Sequence, residues 1–175
     1  MASIYNISSW SSAVAYSKND IVKYSIGGIE YFFYSLANAN VNSTPAIASN
    51  FWGGVSTFAN NITKPLFIWT PSYGFNIDTQ PLVRVIRFGE GYEQRLKEGV
   101  NNALIKVDLS FEKRNLKEST AIIHFLTERE AAESFIFTTP EPYNIQKLFV
   151  ARSWNMSQSF ANNYNVKVAF EEVPF

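Results

Sequence analysis

Alternating apolar and polar positions run through the last two-thirds of the chain. In residues 103–111, apolar side chains recur at every second position from Ala103 to Phe111, with Lys106, Asp108 and Ser110 between them. A period of two is typical of a strand with one buried and one solvated face. Residues 164–170 repeat the pattern, and residues 82–88 and 145–154 favour two more strands.

One stretch between these strands has the period of a helix instead. Asn115 can cap its start, Glu118 follows three residues later, and Ile122, Phe125 and Leu126 form an apolar stripe. Strand returns at residues 134–139 and stops at the prolines that follow. The order of strands, one helix and further strands predicts a mainly β fold, a β-sandwich or barrel with one flanking α-helix.

The first third of the chain differs in amino-acid composition from the rest. Residues 20–25 and 29–34 are rich in β-forming side chains and flank Gly27–Gly28, which predicts a hairpin. Charged residues are sparse up to residue 64 and frequent afterwards, and the polar run 56–65 ends in proline. We therefore expect a small β module at residues 1–58, a linker at 59–65 and a larger module at 66–175.

Composition narrows the function classes. The chain of 175 residues is 46% hydrophobic and 16% aromatic, enough for a folded core. Its formal net charge is zero, so we expect no nucleic-acid partner, and no apolar run is long enough for membrane insertion. The N-terminal residues do not resemble a secretion signal, and cysteine is absent, which fits synthesis in a reducing cytoplasm.

Few residues in the sequence suggest catalysis or metal binding. His124 is the one histidine, and its place beside the helical stripe favours an ordinary surface or boundary role. No serine elbow or metal-ligand spacing occurs, and Glu128, Glu130 and Glu133 fall at the predicted solvated end of the helix. We expect no enzyme activity, no catalytic residue, no cofactor and no metal.

Residues 88–95, with the sequence FGEGYEQR, resemble a phosphate-binding loop at first sight. The spacing lacks a third glycine, no helix follows, and Glu90 would repel a phosphate. We interpret Gly89 and Gly91 as residues with positive φ in a tight turn between strand 82–88 and segment 92–96. From the residues alone, this hairpin is either an interface element or an ordinary exposed turn.

At this point the chain resembles a known family. Residues from about 65 to 175 resemble the minor tail protein M family of lambda-like long-tailed bacteriophages, the distal tail proteins. The resemblance rests on short motifs spread through the second module: Trp69 and Pro71, Arg84 and Arg87, the FGEGY and QR letters of residues 88–95, Gly99 and Asn101, Phe125 and Leu126, Ser134 and Phe135, Thr139 and Pro140, residues 152–154, and the strand 166–170. Glu90 stands where the family more often has aspartate, which keeps the charge.

The resemblance implies an assembly role without catalysis. Such a protein would form a ring, expected to be hexameric, joining the tail tube protein to the tip or hub protein at the distal end of the virion tail. Its partners would be copies of itself, the tube protein and the hub protein. The subunit-interface candidates are Arg84, Arg87, Gly89, Glu90, Gly91, Tyr92, Gln94 and Arg95.

The first module resembles the small carbohydrate-binding modules of chitinases. The matching positions are Trp10, Tyr16, Asn19, Asp20, Val22, Tyr24, Gly28, Tyr31, Pro45 and Trp52. The family's exposed tryptophan pair is replaced here by Tyr34 and its neighbours, so the sugar site is either lost or moved. The carbohydrate-binding candidates are Tyr34, Phe51 and Trp52, and the alternative function is attachment to a host surface glycan. The core is the more favoured place for Trp10, Tyr16, Tyr24 and Tyr31.

Overall fold

A computed structural model describes residues 7–46, 49–55, 64–101 and 103–174. Over these residues the protein is mainly β with one α-helix, which confirms the predicted fold class. The strands are β1 (Ile21–Ile26), β2 (Ile29–Ser35), β3 (Trp52–Gly54), β4 (Asn76–Thr79), β5 (Val83–Arg87), β6 (Glu93–Lys97), β7 (Ile105–Arg114), β8 (Phe135–Thr138), β9 (Gln146–Phe160) and β10 (Asn163–Glu172). The helix α1 spans Leu116–Glu128.

The first sheet has the order β1-β2-β3 and contains the predicted hairpin. Ile26 pairs with Ile29, and both glycines between them have positive φ, +62° and +84°. Two consecutive positive φ angles are what a two-residue hairpin loop needs, and glycine adopts them without strain. Trp52 lies at the centre of a small core with Tyr16, Val22 and Phe33.

The second sheet is antiparallel, with the order β4-β7-β10-β9-β8. Along β7, buried and exposed residues alternate as the sequence pattern predicts. The inward side chains of β7 and β10 pack with the buried face of α1, and the Phe125 and Phe135 rings lie 5.4 Å apart. Asn115 caps α1 as predicted, because its Oδ1 accepts a hydrogen bond from the Glu118 N–H at 2.9 Å.

The two sheets share one hydrophobic core. Tyr34 and Val55 belong to the same buried cluster as Phe67 and Trp69, and the Tyr34 and Trp69 rings are 5.0 Å apart. The indole N–H of Trp69 donates to Asn19 Oδ1 at 3.1 Å. The first module is therefore packed against the second. The proposed boundaries 1–58, 59–65 and 66–175 stay a prediction, since most of the linker lies outside the described residues.

His124 is not at the surface or boundary, as its place on the helix suggested. It is 2% exposed, and its ring lies 4.8 Å from that of Phe32 on β2. The first sheet covers this side of α1, which the period of the helix alone could not reveal. The pKa of His124 is lowered to about 4, chiefly by burial; a backbone hydrogen bond opposes this effect and the nearby Arg129 charge adds to it.

Candidate functional site: an exposed hairpin and an apolar groove

All eight interface candidates lie on one hairpin, residues 82–98. Strands β5 and β6 pair from Val83 with Lys97 to Arg87 with Glu93. Hydrogen bonds extend the ladder by one residue at each end, from the Glu98 N–H to the Leu82 carbonyl and from the Phe88 N–H to the Tyr92 carbonyl. Among the described residues, these two strands form a sheet of their own, separate from the other two sheets.

The turn differs from the predicted one at a single position. Gly91 has a φ of +82°, as expected, but the second left-handed residue is Glu90 with a φ of +64°. Gly89 lies outside the left-handed region. The loop holds three residues, Gly89–Gly91, between extended Phe88 and Tyr92, so its left-handed positions are the second and third.

The ladder register divides the hairpin into two faces of different chemistry. Directly paired residues share a face, and successive residues alternate between faces. We call one side the apolar face; it consists of Leu82, Arg84, Ile86, Phe88, Tyr92, Gln94, Leu96 and Glu98. We call the other the charged face; it consists of Val83, Val85, Arg87, Glu93, Arg95 and Lys97. The sequence candidates are thus split between the two faces.

The apolar face is largely open to solvent. Phe88 is 56% exposed and Tyr92 is 73% exposed, while Ile86 is half-buried. A two-stranded hairpin is at best marginally stable in water, and large contiguous apolar patches are rare on monomeric proteins. This face therefore has the character of a binding surface.

The arginines differ in their ion pairs between the two faces of the hairpin. On the charged face, Glu93 forms ion pairs with both Arg87 and Arg95. On the apolar face, Arg84 makes no ion pair within the residues that the structure describes. Arg84 is thus available to an incoming carboxylate, whereas Arg87 and Arg95 already share one.

A second open surface was not predicted from the sequence. A groove of about 770 Å³ lies between residues 66–75 and 137–144, and we call it the apolar groove. Buried Phe67, Trp69 and Phe137 are among its lining residues, and Tyr73 is fully exposed. The sequence shows the motif of Trp69 and Pro71, but nothing in the sequence indicates that residues 137–144 lie opposite this motif.

The carbohydrate-binding candidates need a correction. Tyr34 and Trp52 are each 2% exposed, so neither presents a flat ring face to a sugar. Tyr34 lies in the core shared by the two modules, where its hydroxyl donates to the Leu66 carbonyl at 3.2 Å and burial raises its pKa. The Trp52 N–H donates to the Ser43 carbonyl at 2.7 Å. Phe51 is exposed, but a single ring is not a platform.

The acidic residues near the end of α1 differ in exposure. Glu128 is half-buried, and Glu130 and Glu133 are exposed. Within the described ranges, no three histidine or acidic side chains gather in a way that would hold a metal ion. The described helix α1 is not long and apolar enough to span a membrane.

Comparisons with known proteins place the hairpin and the groove in a matched region. A family model described as phage minor tail protein matches residues 65–174. Tail tip protein M of Escherichia phage lambda is 32% identical over 109 residues, 61% of this chain and 95% of the relative. Tail tip protein M of Escherichia phage N15 is 34% identical over 79 residues, 42% of this chain and 67% of the relative. The sheet β1-β2-β3 precedes the region matched by the family model.

Proposed function

We propose that this chain, which belongs to the phage minor tail protein family and is a structural component of the virion tail, forms a ring that joins the tail tube to the tip complex. The ring is expected to be hexameric and to lie at the distal end of the tail. Its partners would be copies of itself, the tube protein and the hub protein, and it would transform no substrate. The first module would face outward as a decoration.

The observation that carries this proposal is the exposed apolar face of the hairpin. It lies within the residues matched by the family model, and the chain's own fold leaves it open. In a ring, one patch of each subunit meets a different patch of its neighbour, and the rotation closes. Aromatic and arginine side chains such as Tyr92, Phe88 and Arg84 are favoured at the centre of such interfaces.

The charge distribution agrees with short-range contacts of this kind. Net charge is zero, and in most described ion pairs at least one of the two side chains is exposed. Assembly would then depend on shape and apolar burial more than on long-range attraction.

The direct test is assembly of the full chain with and without its hairpin contacts. We expect six-fold rings in native mass spectrometry, formed by the chain alone or with tube protein. Replacing Tyr92 and Phe88, the exposed aromatic residues of the apolar face, with alanine should reduce both ring formation and the yield of assembled tails. The control is alanine at Lys18 and Phe51, which are also exposed but lie before the matched region.

Two results would overturn the proposal. One is a full chain that stays monomeric at high concentration both alone and with tube protein. The other is a wild-type yield of tails from the variant with alanine at Tyr92 and Phe88.

A further inference from the structure

The apolar groove is lined almost entirely by uncharged side chains. Of the lining residues, Glu141 alone carries a charge, and it is exposed. It makes no ion pair with any described residue. The groove therefore presents a mainly uncharged surface that includes the exposed ring of Tyr73, with the carboxylate of Glu141 beside it.

The apolar face of the hairpin has the complementary character. Its large, exposed side chains stand on a narrow, two-stranded support. Arg84 lies in the middle of this face without an ion pair, and Glu98 lies at its base, away from the turn. A cation surrounded by apolar groups matches a carboxylate at the edge of an apolar groove.

Within one subunit, the two surfaces do not cover each other. Tyr73 and Phe75 of the groove come just before β4, and the hairpin begins just after it. They are thus attached to opposite ends of this strand, which spans roughly 13 Å at about 3.3 Å per residue. Tyr73, Phe88 and Tyr92 all remain exposed, so each surface is left for a partner.

We propose that the apolar face of the hairpin of one copy binds in the apolar groove of the next copy, with Arg84 of the hairpin paired to Glu141 of the groove. This inference rests on the proposed ring function and names the contact that builds the ring. Two unlike patches on one chain give a head-to-tail contact, which closes into a ring when the rotation per subunit fits. The bound hairpin would also gain a surface to pack against, which an isolated two-stranded ribbon lacks.

A charge exchange tests the pairing. Arg84→Glu places two carboxylates together, and Glu141→Arg places two guanidinium groups together. Each single variant should weaken self-association of the full chain at least about tenfold in sedimentation velocity, and the double variant should recover most of that loss. Arg87→Glu with Glu141→Arg is the matched control, since Arg87 lies on the charged face and should give no recovery.

Cross-linking tests the geometry without relying on charge. The chain contains no cysteine, so any disulfide must join the introduced residues. Copies carrying Arg84→Cys, mixed with copies carrying Glu141→Cys, should form a covalent heterodimer on mild oxidation. Copies carrying Lys18→Cys in place of Glu141→Cys should not.

The outcomes separate this inference from the proposed function. If wild-type rings form but the double variant shows no recovery and the cysteine pair gives no heterodimer, the ring stands and the hairpin–groove contact is wrong. If Arg84→Cys links only to tube protein carrying a cysteine and not to Glu141→Cys, the hairpin binds the tube protein instead of the groove, and the inference is again overturned. If the full chain never associates with itself or with tube protein, the proposed function fails first.

Discussion

At the scale of single residues, His124 links stability to pH. Its folded pKa of about 4 lies below the ordinary value of about 6.5, so the unfolded chain binds the proton more readily. The contribution of His124 to the free energy of unfolding is nearly constant above pH 6.5 and decreases as the pH falls toward 4. Between pH 7.5 and pH 5 we expect the free energy of unfolding to drop by about 2 kcal/mol through this residue.

Urea unfolding of the wild type and of His124→Gln at both pH values measures that drop. The variant can be less stable throughout, because glutamine adds unpaired buried polar atoms, but it cannot titrate. Its stability should therefore change less than that of the wild type between the two pH values. An equal change in both proteins would show that His124 is not the group responsible.

Glu90 is another residue in an unfavourable setting. It occupies the left-handed region, which costs an ordinary L-residue about 1–2 kcal/mol, and it is exposed. Glu90→Gly should relieve that strain and slow hydrogen exchange of the Phe88 amide, which bonds to the Tyr92 carbonyl. Gly91→Ala, at a φ of +82° and with no atom near the new methyl group, should speed the same exchange. The two substitutions should change the exchange rate of the Phe88 amide in opposite directions, since both act through backbone strain alone.

At the scale of elements, Asn115 provides a clean test of how helix α1 is stabilised. Its side chain accepts from the Glu118 N–H, one of the donors that a helix start leaves unpaired. Asn115→Ala should lower the free energy of unfolding by about 1 kcal/mol, whereas Asn115→Ser, which can still cap, should lower it by much less. Chemical denaturation monitored by circular dichroism is sufficient. Equal losses in the two variants would mean that the cap is not what matters there.

The elements that were predictable are those with a buried side and enough length. Strand β7 shows a clear period of two because its Val107, Leu109 and Phe111 enter the core. Strands β3 and β4 have three and four residues, too few for a period to emerge. The sequence indicates the hairpin through its glycines and through the resemblance of residues 88–95 to the tail protein family. It shows no clear alternation of apolar and polar residues there, because a ribbon with two exposed faces has no buried side. Its turn was predicted with Gly89 in place of Glu90.

At the scale of the whole molecule, sequence reasoning missed what arises between distant segments. The groove joins residues 66–75 to 137–144, and the Asn19–Trp69 hydrogen bond spans fifty residues. Tyr34 is a carbohydrate-binding candidate because it stands near the position of the exposed tryptophan pair in the chitinase modules that the first module resembles. Tyr34 is instead part of the hydrophobic core, because the second module packs over it. Residue types can indicate an aromatic surface, but only the packing decides which side of a ring remains open.

The shared core makes a last prediction about how the chain unfolds. Tyr34 lies among Trp69 and other groups of the larger module, so truncating it should damage both modules together. We expect Tyr34→Ala to cost about 3–5 kcal/mol and to leave a single transition, coincident in tryptophan fluorescence and circular dichroism. Phe160→Ala, at an exposed site on β9, should leave the midpoint unchanged. Two transitions, of which Tyr34→Ala shifts only the one belonging to the first module, would mean that the modules fold separately. In that case the outward decoration would be a tethered body and not a fixed part of the ring subunit.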